Sequence, residues 1–115
     1  MGAAAAMNWL AVMAGGAIGS SARYGVSLLL PYPWATLLVN VLGSAAIGWL
    51  AAQGVSGTAR LFLITGVLGG FTTFSAFSLE TALLWERAPW QAALYVAASL
   101  GLGLAGFALG WWAGR

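Results

Sequence analysis

Apolar residues run along this chain in long blocks, and the few charges mark where the blocks end. No Arg, Lys, Asp or Glu occurs in residues 1–22, 24–59, 61–79 or 88–114. The second of these intervals is too long for one membrane crossing, and Pro31-Tyr32-Pro33 interrupts it. The pattern therefore predicts an all-α membrane protein with four transmembrane helices of about 20 residues or more. The first is expected from near Asn8 to about Leu30 and the second from Trp34 to about Gln53. The third should run from Arg60 to about Trp85 and the fourth from Trp90 to about Trp112. The joints at Pro31–Pro33, Gly54–Gly57 and Glu86–Pro89 are short, so successive helices should be antiparallel. The seven Trp fall near predicted helix ends, where interfacial anchors sit.

The third helix contains a fault. Gly69-Gly70-Phe71-Thr72-Thr73-Phe74-Ser75-Ala76-Phe77-Ser78 places a Gly pair and a Thr pair at membrane depth. Both pairs weaken a helical backbone. A break there must be hidden in protein or used to hold an ion or solute. We expect unwound carbonyls over Gly69 to Thr73, of the kind that coordinates Na⁺.

Composition narrows the function. The chain has 115 residues, one domain spanning 1–115, and is 62% hydrophobic and 5% charged. Such a composition needs lipid as its solvent. With no His, Lys, Cys or Asp, no nucleophile–base constellation can be assembled, so an enzyme is not expected. A net charge of +2 from scattered Arg and Glu gives no footprint for nucleic acid. The N-terminal apolar run lacks the basic start of a cleavable signal peptide.

Polar residues inside lipid are costly and usually functional. Thr36, Asn40 and Ser44 recur every four residues and share one face of the second helix. Tyr95 and Ser99 share a face of the fourth, with Gly103 next along it. Phe74 and Phe77 share a face of the third, with the hydroxyls of Ser75, Ser78 and Thr81 nearby. Each stripe alone is explained by an interhelical hydrogen bond. Three together favour a polar path lined by donors and by the positive edges of Phe rings, which suits a small anion. Arg23 would raise the local anion concentration at one mouth. Glu80, one turn beyond Phe77, is expected to be a hydrogen-bonded or neutralised structural carboxyl. The glycines at Gly15, Gly16, Gly19, Gly101, Gly103, Gly106 and Gly110 are read as helix-packing surfaces.

Arg60 and Arg115 fall on one side of the membrane, and Arg23 and Arg87 on the other. The positive-inside rule then gives no orientation. Dual topology, with an antiparallel homodimer, is the expectation, because four short helices cannot enclose a path while burying their own polar residues.

Over nearly its whole length the chain resembles the small dimeric fluoride channels, the Fluc-type or CrcB family. The likeness rests on Gly15-Gly16-Ala17-Ile18-Gly19-Ser20 with Ala22-Arg23-Tyr24, on Thr36-Leu37 with Val39-Asn40, Gly43 and Gly48, and on the block Gly69 to Glu80. The resemblance implies passive export of fluoride from the cytoplasm through two pores of an antiparallel dimer. It implies a structural Na⁺ on the backbone carbonyls of Gly69 and Thr72. It implies a pore lined by Asn40, Phe74, Phe77 and Ser75, with Thr36, Tyr95 and Ser99 as a polar track. The expected location is the plasma membrane, the inner membrane of a bacterium or archaeon. Trp34-Ala35 and Ala76 depart from the family's usual residues. A small multidrug exporter, the nearest rival, needs a carboxylate in its first helix, and none is present. A purely structural subunit, the other rival, would need neither three polar stripes nor a helix break.

Overall fold

The computed structural model describes all residues, Met1–Arg115. It contains four helices long and apolar enough to cross a membrane, and no strand. We label them α1 (Ala3–Leu29), α2 (Trp34–Ala52), α3 (Gly57–Arg87) and α4 (Pro89–Gly114). Their boundaries lie within a few residues of the predicted ones. The long axis of 52 Å exceeds the roughly 30 Å hydrocarbon core, so the ends reach the headgroups.

Each terminus has a local cause. Leu30 leaves helical geometry directly before Pro31, whose neighbour is disfavoured in a helix. After α2 the chain turns through Gly54, where φ is +73°, a value that suits glycine. Ala88 is extended, and Pro89 opens α4 at a position where its missing N–H costs nothing.

α3 is not uniform. Gly57–Arg60 is a single α-helical turn, and Leu61–Leu68 is wound as a π-helix. Gly69–Phe71 returns to α geometry, and Phe74–Arg87 forms the second half. Only Thr72 and Thr73 are extended. The break is thus narrower than expected, and the Gly pair stays helical. The physical reason is packing together with capping. Gly70 lies against the α1 backbone at Gly16 and Ser20, an approach that a residue with a side chain could not make. Thr73 carries the hydroxyl that takes over the Ala76 N–H, and the chain opens beside it.

The helices pack as two systems. α1 lies along the first half of α3, and α2 lies along α4 in the most extensive contact of the molecule. The second half of α3 turns onto α4. Glycines make both long contacts. A Cβ on Gly15 or Gly19 would strike the backbone of α3 at Phe62, Gly66 or Val67. A Cβ on Gly110 would strike Ala45, and one on Gly48 would strike Phe107. The packing expectation therefore holds for Gly15, Gly19, Gly106 and Gly110. Gly16 enters the seam through its backbone, against Gly66 and Gly70, though its own Cβ direction is open; an added Cβ on Gly101 meets nothing, and Gly103 makes only a loose contact with Ser44. The small core consists of Leu84, Ala92 and Tyr95, with Leu37 and Phe77 packed against it. Only 15 of 115 residues are buried, so the outer face is apolar and open to lipid or a partner.

Candidate functional site

The break in α3 is held by a side chain from another helix. Asn40, midway along α2, donates from Nδ2 to the Thr73 carbonyl at 3.0 Å. Its Oδ1 accepts from the Thr73 N–H at 2.7 Å. One side-chain amide thus satisfies both backbone groups of an extended residue at membrane depth, which lipid could not do. A second N–H of Asn40 is left over. Thr73 also caps the second half of α3, its Oγ1 accepting from the Ala76 N–H at 3.0 Å. Ser75 Oγ lies 3.2 Å from the same hydroxyl. Thr72 Oγ1 donates back to the Leu68 carbonyl at 2.8 Å.

Arg23 reaches the same place from α1. Its Nε donates to the Gly70 carbonyl at 2.9 Å, at the end of the first half of α3. A cation there complements the negative end of that half-helix. Arg23 therefore belongs to the break. It also lines a cavity of about 180 Å³, with Thr36, Val39 and Glu80.

Glu80 gathers the other polar residues. Thr36 donates to Oε1 and Tyr95 to Oε2, each at 2.9 Å. Tyr32 donates to the Glu80 carbonyl at 2.9 Å. Tyr32 lies in the loop between α1 and α2, where partial desolvation first and the Glu80 charge second raise its phenol above the usual value; Arg87 opposes them. The expectation of a hydrogen-bonded Glu80 agrees with this geometry. Tyr95 is 2% exposed, so water cannot replace its bond.

The aromatic pair lies beside this cluster. Phe74 and Phe77 have ring centroids 5.6 Å apart, and Phe77 and Tyr95 5.3 Å apart, both tilted. Phe77 packs inward, whereas Phe74 is 77% exposed on the protomer surface. Ser99 Oγ, one turn along α4 from Tyr95, is buried and has no partner. It is the one orphaned buried side-chain group of the protomer.

Asn40, Thr36, Tyr95, Phe77 and Ser75 therefore converge on the second half of α3, and Arg23 on the break. Gly69 and Thr72 lie on the break's first side. No group of three or more His, Cys, Asp or Glu could hold a metal. The carbonyl of Thr72, which lies outside the helical segments, accepts no hydrogen bond. The reading of the sequence missed two things. Thr73 is the capping residue of the break, and a Thr three residues before the backbone N–H that it satisfies is a recognisable cap signal. Tyr32, 48 residues from Glu80, gave no such signal.

Residues 10–111 match the family described as CrcB-like protein, Camphor Resistance (CrcB). A protein of Hyphomonas neptunium named fluoride-specific ion channel FluC is 50% identical, over 94% of this chain and 95% of its own length. Proteins of the same name from Roseobacter denitrificans and Rhodospirillum centenum are 51% and 52% identical, over 90% and 88% of this chain and 92% and 90% of theirs. With four membrane-spanning helices and a match over most of its length, the chain belongs to the CrcB family of membrane ion channels.

Proposed function

We propose that this protein is a fluoride-specific channel that lets fluoride leave the cytoplasm passively and so protects the cell from it. Fluoride enters acidified cells as neutral HF, ionises and is trapped, so a selective exit prevents accumulation. The observation that carries the reading is the convergence of Asn40, the Phe74–Phe77 pair and the Thr36–Glu80–Tyr95 cluster on one half-helix. The relatives' names supply the ion.

Fluoride is small and strongly hydrated, so selection needs close, dense donors. The free N–H of Asn40, the hydroxyls of Ser75 and Ser99 and the edges of Phe74 and Phe77 would line the pore. The Thr36 and Tyr95 hydroxyls would extend the track, turning between Glu80 and the anion. Arg23 would raise the anion concentration at the vestibule.

The working unit in this reading is an antiparallel, dual-topology homodimer in the inner membrane. Two features support it. The carbonyl of Thr72 lacks a donor, and irregular backbone does not face lipid within the hydrocarbon region. Phe74 lies on the surface of the protomer instead of in a closed path. A second copy would cover both. Two carbonyls from each chain, on Gly69 and Thr72, would then hold a structural Na⁺, which would tie the two breaks together electrostatically.

The test is fluoride efflux from liposomes holding the purified protein, read with a fluoride electrode. Fluoride should leave and chloride should stay. Equal release of both ions, or of neither, would reject the reading.

A further inference from the structure

A second feature lies away from the break. A cavity of about 500 Å³ opens between α2, the second half of α3 and α4, at the membrane edge marked by Arg87. Its rim carries Trp34, Arg87, Trp90 and Gln91. Its wall descends along Leu94, Ala98 and Leu102 of α4. From Gln91 to Leu102 the helix rises about 16 Å, roughly half the hydrocarbon core and so about the depth of one leaflet. Donors crowd the rim, and the one donor on the wall, the Tyr95 hydroxyl, is already engaged on Glu80.

We propose that this groove is a binding site for an anionic phospholipid. The phosphate sits on the Arg87 guanidinium, and one acyl chain lies along Leu94, Ala98 and Leu102. The rim donors are free. Arg87, Gln91, Trp34 and Trp90 make no side-chain hydrogen bond within the protomer. A guanidinium fork matches phosphate oxygens in pairs, and the indole N–H groups at headgroup level reach ester oxygens. Glu86 is adjacent in sequence but does not line the groove, so the cation there is not cancelled from within the site.

Other occupants fit less well. A permeating anion would find along the wall only the Tyr95 hydroxyl, which Glu80 already holds. A second copy of this chain would have to bury the Arg87 charge, which is costly without a partner. The chain has only two carboxylates to meet it, and both oxygens of Glu80 already accept hydrogen bonds, which leaves Glu86 alone.

The test is native mass spectrometry of the purified protein with phosphatidylglycerol or phosphatidylcholine added in turn. Phosphatidylglycerol should be retained about fivefold more than phosphatidylcholine, the ratio expected for one basic side chain at an anionic surface. Arg87→Gln should abolish the preference, and Ala98→Trp, which fills the wall, should lower retention of both lipids. Arg60→Gln, remote from the groove, should change neither. The chain has no native Cys, so Ala98→Cys gives a single label site. Equal retention of the two lipids, or an unchanged preference in Arg87→Gln, would overturn the proposal. So would a Cys at residue 98 that reacts with a lipid-phase maleimide only after the assembly is dissociated, which would assign the groove to a second copy. The inference rests on membrane embedding and not on the permeant ion, so its failure would leave fluoride efflux untouched.

Discussion

The two halves of α3 are held in opposite ways. The first half packs backbone to backbone. Gly15 and Gly19 of α1 meet the backbone of Phe62, Gly66 and Val67. The second half packs by side chains that reach across, from Asn40, Thr36 and Tyr95. Close backbone contact leaves no room for a passing solute and resists deformation. Hydroxyls and an amide can exchange partners. The first arrangement is a scaffold, and the second has the flexibility that moving an ion requires.

The sharpest way to break this contrast is to put a side chain into the scaffold. Gly19→Val should lose about 3 kcal/mol, since its Cβ meets the Val67 backbone and no rotamer relieves that. Thermal unfolding in detergent would show it as loss of a folded protein. Gly16→Ala, three residues away, should stay within about 0.5 kcal/mol because the space beside it is open. Equal effects would mean that the seam is not specific.

On the other side of the contrast, Asn40→Asp should slow fluoride efflux more than about a hundredfold. A carboxylate near the anion raises the barrier by about 3 kcal/mol, taking an effective dielectric of about 20. It also sets an oxygen against the Thr73 carbonyl, which now accepts an N–H. Asn40→Ala separates the two effects, because it removes the bonds without adding charge. Wild-type efflux through Asn40→Asp would remove Asn40 from the pore.

Tyr95→Phe is subtler. The ring contact with Phe77 remains, but Glu80 Oε2 loses its donor. The expected cost is about 1–3 kcal/mol in unfolding. An unchanged melting temperature would mean that Glu80 finds another donor.

The smallest effect is expected at Arg23, which ties α1 to the end of the first half of α3. Arg23→Gln should reduce efflux about fivefold at low salt, corresponding to about 1 kcal/mol of charge interaction. High salt should shrink that deficit without erasing it, since screening weakens the field but not the bond to Gly70. A deficit erased by salt would reduce Arg23 to a charge at the mouth.

What was legible in the sequence follows the same division. The four spans, the shared face of Thr36 and Asn40 and the packing roles of Gly15 and Gly19 all follow from local periods, because a helix repeats every few residues. The position of the break was not legible to the residue. Whether Gly69–Phe71 stays wound depends on α1 lying against Gly70, a contact made across the fold. The same holds for Glu80, whose partner Thr36 is 44 residues away. Even Asn40 read differently. Its two N–H donors were legible, but its pairing with Thr73 was not.

That pairing has a consequence for how the protein is made. Thr73 has both backbone groups satisfied only when α2 stands beside it. A newly inserted third span without that neighbour has no lipid-compatible way to keep the chain open, and a continuous helix is then its cheapest state. The interruption is therefore assembled after insertion, when the spans meet in the bilayer. Asn40 is thus the latch that holds the interruption once the spans have met.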